Sequence, residues 1–176
     1  WRTSARKPLR RGQAVQVARK SIRVRIPFSN ARRTMGKQVS CDLFCKVVDN
    51  YGDAGVCWRL VRQLAQEQGW HMRLWIDDLA PLARLEPEVD AAGECQQVAG
   101  VDVRRWRPAL IDAVPADVVI EAFACELPAG YIAAMAQRRP VWINLEYLSA
   151  EDWVAGCHGM ASPHPSLPLV KHFFFP

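Results

Sequence analysis

The sequence has 176 residues, with 23 Lys and Arg against 18 Asp and Glu and a formal net charge of +5. It contains no apolar run long enough to cross a bilayer and no secretory signal, which argues against a membrane protein or an exported one. Its six cysteines form no Cys-x-x-Cys pair, and several lie in apolar runs. We therefore expect a cytoplasmic protein with reduced core thiols.

The positive charge is concentrated in the first 34 residues, which hold 11 Lys and Arg and no acid. Residues 35–176 carry 12 basic and 18 acidic side chains, and their number suits one domain with its own core. The basic leader fits a nucleic-acid arm, a transit peptide, or upstream sequence read in frame before a natural start at Met35. Because the chain begins with Trp1, we favour the third interpretation and expect residues 1–34 to be disordered.

A short polar loop near the start of the body organises the rest of the chain. The apolar run 43–48 predicts a buried strand, and residues 56–65 have the spacing of a helix that ends near Gly69. The loop between them reads Asp-Asn-Tyr-Gly-Asp-Ala-Gly from Asp49 to Gly55. A strand, a glycine-containing loop and a helix form the opening unit of a doubly wound α/β domain, which binds ligands at the carboxyl ends of its strands.

Further apolar segments alternate between strand and helix patterns. We predict strands at 72–76, 101–106, 117–120 and 140–145, helices at 81–85, 129–138 and 150–154, and a loop at 86–100. This alternation predicts an α/β fold with a Rossmann-like, mainly parallel sheet and helices on both faces. The three phenylalanines at 173–175 would expose an apolar patch, and the alternative is that they pack on this domain.

The loop carries two carboxylates, Asp49 and Asp53, where a phosphate-binding loop would offer glycines and backbone amides. Two negative charges at a helix N-terminus suit the helix dipole and repel a phosphate. The loop therefore predicts a site that meets a cation or accepts a proton. The alternative is that Asp53 only caps the helix. A dinucleotide-dependent redox enzyme is disfavoured, because the Gly-x-Gly-x-x-Gly fingerprint is absent.

Acidic residues also follow the other predicted strands. If the strands are parallel, these acids share one edge of the sheet, which we call the acidic rim: Asp49, Asp53, Asp77, Asp78, Glu121, Glu126 and Glu146. Such a rim attracts a guanidinium or a basic protein surface, so a non-enzymatic binding module for a basic partner remains an alternative. Loop polarity alone would also put acids there. The spacing of Cys157, His158, His164 and His172 matches no common zinc pattern.

Four segments form a specific ordered set. They are Phe-Cys-Lys-Val-Val-Asp-Asn-Tyr-Gly-Asp-Ala-Gly-Val-Cys-Trp-Arg-Leu at 44–60, Arg-Leu-Trp-Ile-Asp-Asp-Leu at 73–79, Val-Ile-Glu-Ala-Phe-Ala-Cys-Glu-Leu-Pro at 119–128 and Trp-Ile-Asn-Leu-Glu-Tyr-Leu-Ser-Ala-Glu-Asp-Trp at 142–153. In this order they resemble the bacterial protein-arginine rhamnosyltransferases that modify elongation factor P, the EarP family. The resemblance covers residues 41–176, the first half of the family's length.

The resemblance implies the N-terminal half of a GT-B glycosyltransferase, in which two Rossmann-like domains face a cleft. It implies inverting transfer of rhamnose from dTDP-β-L-rhamnose to one arginine of elongation factor P, without a metal or other cofactor. Neither nucleic acid nor a membrane is implied as a partner. The N-terminal domain grips the acceptor, and a C-terminal domain, absent from residues 35–176, holds most of the donor. The family's essential aspartates match Asp49 and Asp53, and its donor-sugar segment begins with Asn50, Tyr51 and Gly52.

The chemistry fits these residues. A guanidinium stays charged and is a poor nucleophile because its lone pairs are delocalised. A carboxylate can orient it through charge-assisted hydrogen bonds and take a proton as the new bond forms. We predict Asp53 as the base and Asp49 as the orienting group, and the reverse assignment stays open. Because the leader is extra and the C-terminal domain with its catalytic glutamate is missing, we expect residues 1–176 alone to be poorly active.

Overall fold

The computed structural model describes residues 38–107 and 113–176, so the predictions for residues 1–34 lie outside the described residues. The described chain contains these strands: β1 (Ser40–Cys45), β2 (His71–Ile76), β3 (Cys95–Val98), β4 (Val101–Arg105), β5 (Val118–Ala122), β6 (Val141–Leu145), β7 (Ala161–Pro163) and β8 (Val170–Phe174). Its helices are α1 (Asn50–Gln68), α2 (Ala80–Leu85), α3 (Ala129–Arg138) and α4 (Val154–Cys157).

The described strands form one sheet in the order β3-β4-β2-β1-β5-β6-β8-β7. The six strands from β4 to β8 pair in parallel, and only the edge strands β3 and β7 pair antiparallel. The chain moves from β1 to β2 on one side and later returns to β5 on the other side of β1. The strand order therefore reverses at β1, and the loops after β1 and β5 border the crevice in which such sheets bind ligands.

Apolar side chains of β1 alternate between the two faces of the sheet. Leu43 and Cys45 pack in a cluster with residues of α1 and α2, while Phe44 packs on the other face with Tyr131 and Met135 of α3. Strand side chains alternate in this way because successive residues point to opposite faces. The α/β class, the mainly parallel sheet and the helices on both faces are confirmed.

The first strand ends earlier than the sequence predicts. β1 stops at Cys45 instead of continuing to Val48, which is 79% exposed. The amide of Val47 donates to Oδ1 of Asp77 at 2.8 Å, and the amide of Val48 donates to Oδ2 of Asp53 at 2.9 Å. Because carboxylates bind these amides, the chain leaves the sheet here.

Helix α1 begins earlier than predicted, at Asn50 rather than near Gly55. Its buried apolar residues include Ala54, Cys57 and Val61, whereas Val56, the first residue of the predicted helical segment, is 40% exposed. The predicted end is confirmed: Gly69 is the C-cap residue with a left-handed φ of 66°, and its amide donates to the carbonyl of Leu64. The polar loop of the sequence is therefore the first turn of the helix.

Other elements differ from the predictions in instructive ways. The predicted loop 86–100 contains β3, whose backbone pairs antiparallel with β4 at the edge of the sheet. The helix predicted from Ala150 starts only at Val154, since the hydroxyl of Ser149 accepts from the amide of Glu151 in a local turn. The predicted exposure of the phenylalanines at 173–175 is wrong: they are half-buried, because β8 pairs with β6.

All six cysteines are free, and Cys41, Cys45, Cys57 and Cys125 are buried as expected for core thiols. The exposed Cys95 departs from that expectation. Among the helices of the described residues, none combines the length and apolar character that a membrane span requires.

Candidate active site

The candidate site lies at the start of α1, where Asp53 reaches back to the preceding residues. Its Oδ2 accepts hydrogen bonds from the amide of Val48 at 2.9 Å and from the amide of Asp49 at 2.8 Å. An acid in the first turns of the helix thus satisfies the amide of the N-cap residue, as in one half of a capping box, while the side chain of the N-cap residue Asp49 makes no cap hydrogen bond. Asp53 is therefore not the N-cap residue, a position that Asp49 holds, although its Oδ2 binds the amides of Val48 and Asp49 that precede the helix.

The second oxygen of Asp53 faces a different partner. Tyr147, which follows β6, donates its hydroxyl to Oδ1 of Asp53 at 2.9 Å across 94 positions of sequence. Partial burial and this hydrogen bond raise the pKa of Tyr147 to about 12. The tyrosine therefore remains a donor at neutral pH. Asp53 is 1% exposed, and Oδ1 keeps one lone pair beyond the Tyr147 contact.

Asp49 lies at the protein surface beside Asp53 and is exposed. Its carboxylate packs against Gly52, where an added Cβ would lie 2.5 Å from Oδ2 of Asp49. Its carbonyl accepts from the amide of Gly52 at 2.7 Å. Residue 52 must therefore be glycine if the Asp49 carboxylate is to keep this position.

The two remaining predicted residues are also exposed. Asn50 has a φ of 23°, outside the usual helical range, although it begins α1. The hydroxyl of Tyr51 accepts from the guanidinium of Arg84 of α2 at 2.9 Å. All five predicted site residues therefore share one helical turn, with four exposed residues around the buried Asp53.

A pocket of about 270 Å³ opens next to this turn. Its lining comes from the segments after β1, β5 and β6: Lys46, Val48, Phe123, Ala124, Cys125, Glu126 and Tyr147. The segment after β5 has left-handed φ values at three non-glycine residues, Phe123 (56°), Ala124 (51°) and Glu126 (59°). Strained backbone of this kind clusters at functional sites, so the pocket belongs to the candidate site.

The acidic rim exists, but several of its members hold the local structure. Oδ1 of Asp77 accepts from the amides of Val47 and Asp78, and Asp78 accepts from the amide of Ala80. Glu121 is buried and bound by Lys171 at 3.1 Å. The expectation that parallel strands bring these acids to one edge is confirmed. Two exposed carboxylates of the rim lie at the candidate site: Asp49 at the start of α1 and Glu126 in the wall of the pocket.

The described residues contain no group of three His, Cys, Asp or Glu side chains arranged to hold a metal ion. The carboxylate of Asp53 is bound by two amides and a hydroxyl.

A family model described as elongation-factor P (EF-P) rhamnosyltransferase EarP matches residues 41–176. The chain belongs to this family. Among curated EarP relatives, the protein-arginine rhamnosyltransferase of Pseudomonas putida is 58% identical over 137 residues, which cover 77% of this chain and 36% of the relative. The protein of the same name from Pseudomonas aeruginosa is 52% identical over 139 residues, covering 78% and 37%.

A more distant EarP relative, the protein-arginine rhamnosyltransferase of Neisseria meningitidis serogroup B, is 44% identical over 138 residues, covering 77% of this chain and 35% of the relative. The chain thus spans about a third of the length of the curated relatives it matches, which is less than the half that the resemblance implied. The match includes the whole described site, from Asp49 to Tyr147.

Sequence reasoning identified the turn but not its partners. Tyr147 and Phe123 were inside segments that carry the EarP resemblance, yet neither was singled out, because a tyrosine or phenylalanine after a strand has no distinctive spacing. The available signal was position: each follows the end of a predicted parallel strand, and the topology brings these ends together.

Proposed function

We propose that the protein containing this chain is a cytoplasmic GT-B glycosyltransferase that moves rhamnose from dTDP-β-L-rhamnose to an arginine of elongation factor P, with inversion. The curated relatives are named protein-arginine rhamnosyltransferases, which supports a protein arginine as acceptor and a rhamnose donor. The observation that carries the proposal is Oδ1 of Asp53, a carboxylate oxygen near the strand-order reversal that accepts from Tyr147, a residue of the pocket wall.

The two carboxylates take different roles in this proposal. Asp49 is exposed at the N-terminus of α1, where it can bind the planar guanidinium through charge-assisted hydrogen bonds. Asp53 is nearly closed off from solvent, and its Oδ2 is already occupied by two amides. Its Oδ1 is therefore the atom that accepts the proton.

The proposed reaction is a single displacement at the anomeric carbon of rhamnose. A guanidinium nitrogen attacks the anomeric carbon of rhamnose from the face opposite the nucleotide, and an N–C bond forms. The C–O bond to the diphosphate breaks, and dTDP leaves with the electron pair. The nitrogen loses a proton to Asp53 as it bonds, which avoids a dication in the transition state. Residues Asn50 to Gly52 lie beside the donor sugar in this scheme, and the nucleotide is held mainly by a second domain.

The test is a turnover assay on the complete gene product with elongation factor P and dTDP-β-L-rhamnose, read by mass spectrometry of the acceptor. We expect one deoxyhexose on an arginine, and none when that arginine is replaced by lysine. Acceptor binding without any transfer would instead support the non-enzymatic binding module. A separate calorimetric titration of residues 35–176 should give weak dTDP-rhamnose binding, and tight binding would contradict the assignment of the donor to another domain.

A further inference from the structure

Two aromatic side chains outside the predicted site, Phe123 and Tyr147, contact each other next to Asp53. The rings of Phe123 and Tyr147 stack with their centroids 4.0 Å apart and their planes 9° apart. Their strands are neighbours: Ala122 at the end of β5 pairs in register with Leu145 at the end of β6. The two rings therefore rise side by side from the same edge of the sheet.

The stack explains how a half-exposed tyrosine can hold a fixed position. Tyr147 is 52% exposed, and an exposed tyrosine ring normally samples several rotamers. Phe123 restrains this ring from one face. Phe123 is in turn held by its own left-handed backbone and by the hydrogen bond of its amide to the carbonyl of Leu145 at 2.7 Å. The hydroxyl of Tyr147 consequently stays directed at Asp53.

We propose that Tyr147 is a positioning residue, which fixes Oδ1 of Asp53 through its hydroxyl from the wall of the pocket while Phe123 holds the tyrosine ring. The role rests on the proposed function, since it acts through the base of that reaction. The backbone amides of Val48 and Asp49 fix Oδ2 alone, so a carboxylate held at one oxygen retains rotational freedom at the other. The Tyr147 hydroxyl removes that freedom and leaves one lone pair of Oδ1 for the substrate proton.

The decisive variant is Tyr147→Phe, which deletes the hydroxyl and keeps the stacked ring. In the complete gene product we expect kcat to fall by about tenfold or more, the range for losing a hydrogen bond to a charged group. KM for elongation factor P should stay within about threefold, because the pocket keeps its shape. A kcat within about threefold of the unsubstituted protein would overturn the proposal. A rise in KM at constant kcat would also overturn it, because the hydroxyl would then bind substrate directly.

Tyr131→Phe is the matched control, since it also removes one tyrosine hydroxyl that donates to one aspartate, Asp42. Tyr131 is buried on the other face of the sheet, and its hydroxyl bonds to Asp42 rather than to Asp53. Tyr131→Phe should lower the melting temperature more than Tyr147→Phe does. At a temperature where both variants are folded, the kcat of Tyr131→Phe should equal that of the unsubstituted protein. If the two variants lose kcat in proportion to their stability, Tyr147 is merely structural and the proposal fails.

A double-mutant cycle with Asp53→Asn adds an independent readout. When Asp53 no longer serves as base, deleting the Tyr147 hydroxyl should lower kcat little further, so the two effects should be strongly non-additive. Additive losses would show that Tyr147 acts elsewhere. If the unsubstituted protein transfers no rhamnose, the proposed function fails, and the role of Tyr147 fails with it. If the unsubstituted protein transfers rhamnose normally and Tyr147→Phe has unchanged kcat, only the role of Tyr147 fails.

Discussion

The amide of Asp49 donates to Oδ2 of Asp53 at 2.8 Å, so one hydrogen bond couples the two candidate catalytic residues. The contact lies within one helical turn, and it leaves the Asp49 side chain exposed while it buries that of Asp53. The two oxygens of Asp53 therefore have different roles: Oδ2 binds backbone amides, and Oδ1 is the proposed proton acceptor. A single substitution can separate these two roles.

Asp53→Asn is that substitution. An asparagine carbonyl can still accept from the amides of Val48 and Asp49, so the turn should persist. The amide group cannot take a proton from the guanidinium, and we expect turnover in the complete gene product to fall roughly 10²–10⁴-fold. Acceptor affinity should change little, because it is spread over a protein-sized surface. Rhamnosylation rate and acceptor affinity, measured on this variant, separate a base from a cap.

Asp77→Asn supplies the control on the same rim. Asp77 accepts two amides at Oδ1, from Val47 and Asp78, which an asparagine carbonyl can equally bind. We expect its turnover to remain within a few-fold of that of the unsubstituted protein. Near-normal turnover of Asp53→Asn would make Asp53 a cap and remove its catalytic role.

Gly52→Ala tests whether the position of the Asp49 carboxylate matters, because it leaves residue 49 an aspartate. The new methyl group would lie 2.5 Å from Oδ2 of Asp49, so that carboxylate must move. Alanine favours a helix over glycine by about 1 kcal/mol, which should partly offset any strain. We therefore expect a folded protein of similar melting temperature that loses turnover by at least roughly tenfold, the effect of misplacing one charge-assisted hydrogen bond.

Gly55→Ala is the matched control for that change. It lies in the same helix, and its added Cβ would meet only Cδ1 of Leu85 at 3.5 Å, an ordinary contact. This variant should gain up to about 1 kcal/mol of stability with unchanged turnover. If Gly52→Ala behaves in the same way, the position of Asp49 does not matter to the reaction.

The sequence predicts the parallel core of the sheet well, because buried strands such as β5 begin with a continuous apolar run, here 118–120. The prediction from sequence fails where side chains, rather than a neighbouring strand, bind the backbone amides. The run to Val48 looks like more strand, yet Asp53 and Asp77 bind the next two amides and end β1. Asp53 also binds the amide of the N-cap residue Asp49, so its carboxylate contributes both to the early end of β1 and to the early start of α1.

The site was predicted only as far as it is local in sequence. Asp49 to Asp53 is one turn, and its acids are visible as a pattern. Tyr147 reaches Asp53 from 94 positions away, and that contact depends on the register of β6 next to β5. A contact of this kind follows from topology, which spacing along the chain does not encode.

Asp42→Asn should destabilise the fold rather than the reaction. Asp42 is fully buried, and its carboxylate binds the guanidinium of Arg73 at 2.6 Å, the indole of Trp75 at 3.0 Å, the amide of Ala116 at 2.9 Å and the hydroxyl of Tyr131. Removing its charge leaves Arg73 partly buried without its ion pair. We expect a loss of about 3–5 kcal/mol in urea unfolding, against about 1–3 kcal/mol for Tyr131→Phe. A loss below that of Tyr131→Phe would show that the ion pair contributes nothing.

Tyr147 also gives the protein a pH dependence in the alkaline range. Partial burial, the hydrogen bond to Asp53 and the charges of Asp53 and Asp49 raise the pKa of Tyr147 from 10 to about 12. A group whose pKa is higher in the folded state stabilises the fold fully below its unfolded value and loses that contribution as pH rises through the folded value. Stability should therefore fall between pH 10 and pH 12.

The measurement is tyrosinate absorbance together with urea unfolding across that range, for the unsubstituted protein, Tyr147→Phe and Asp53→Asn. Tyr147→Phe should lose one late-titrating tyrosine and part of the fall in stability. Asp53→Asn should bring the same tyrosine back towards pH 10, because it removes one of the charges that disfavour the tyrosinate; partial burial, which is the larger cause, keeps the return incomplete. A Tyr147 that titrates near 10 in the unsubstituted protein would mean that its hydroxyl does not bind Asp53 in solution.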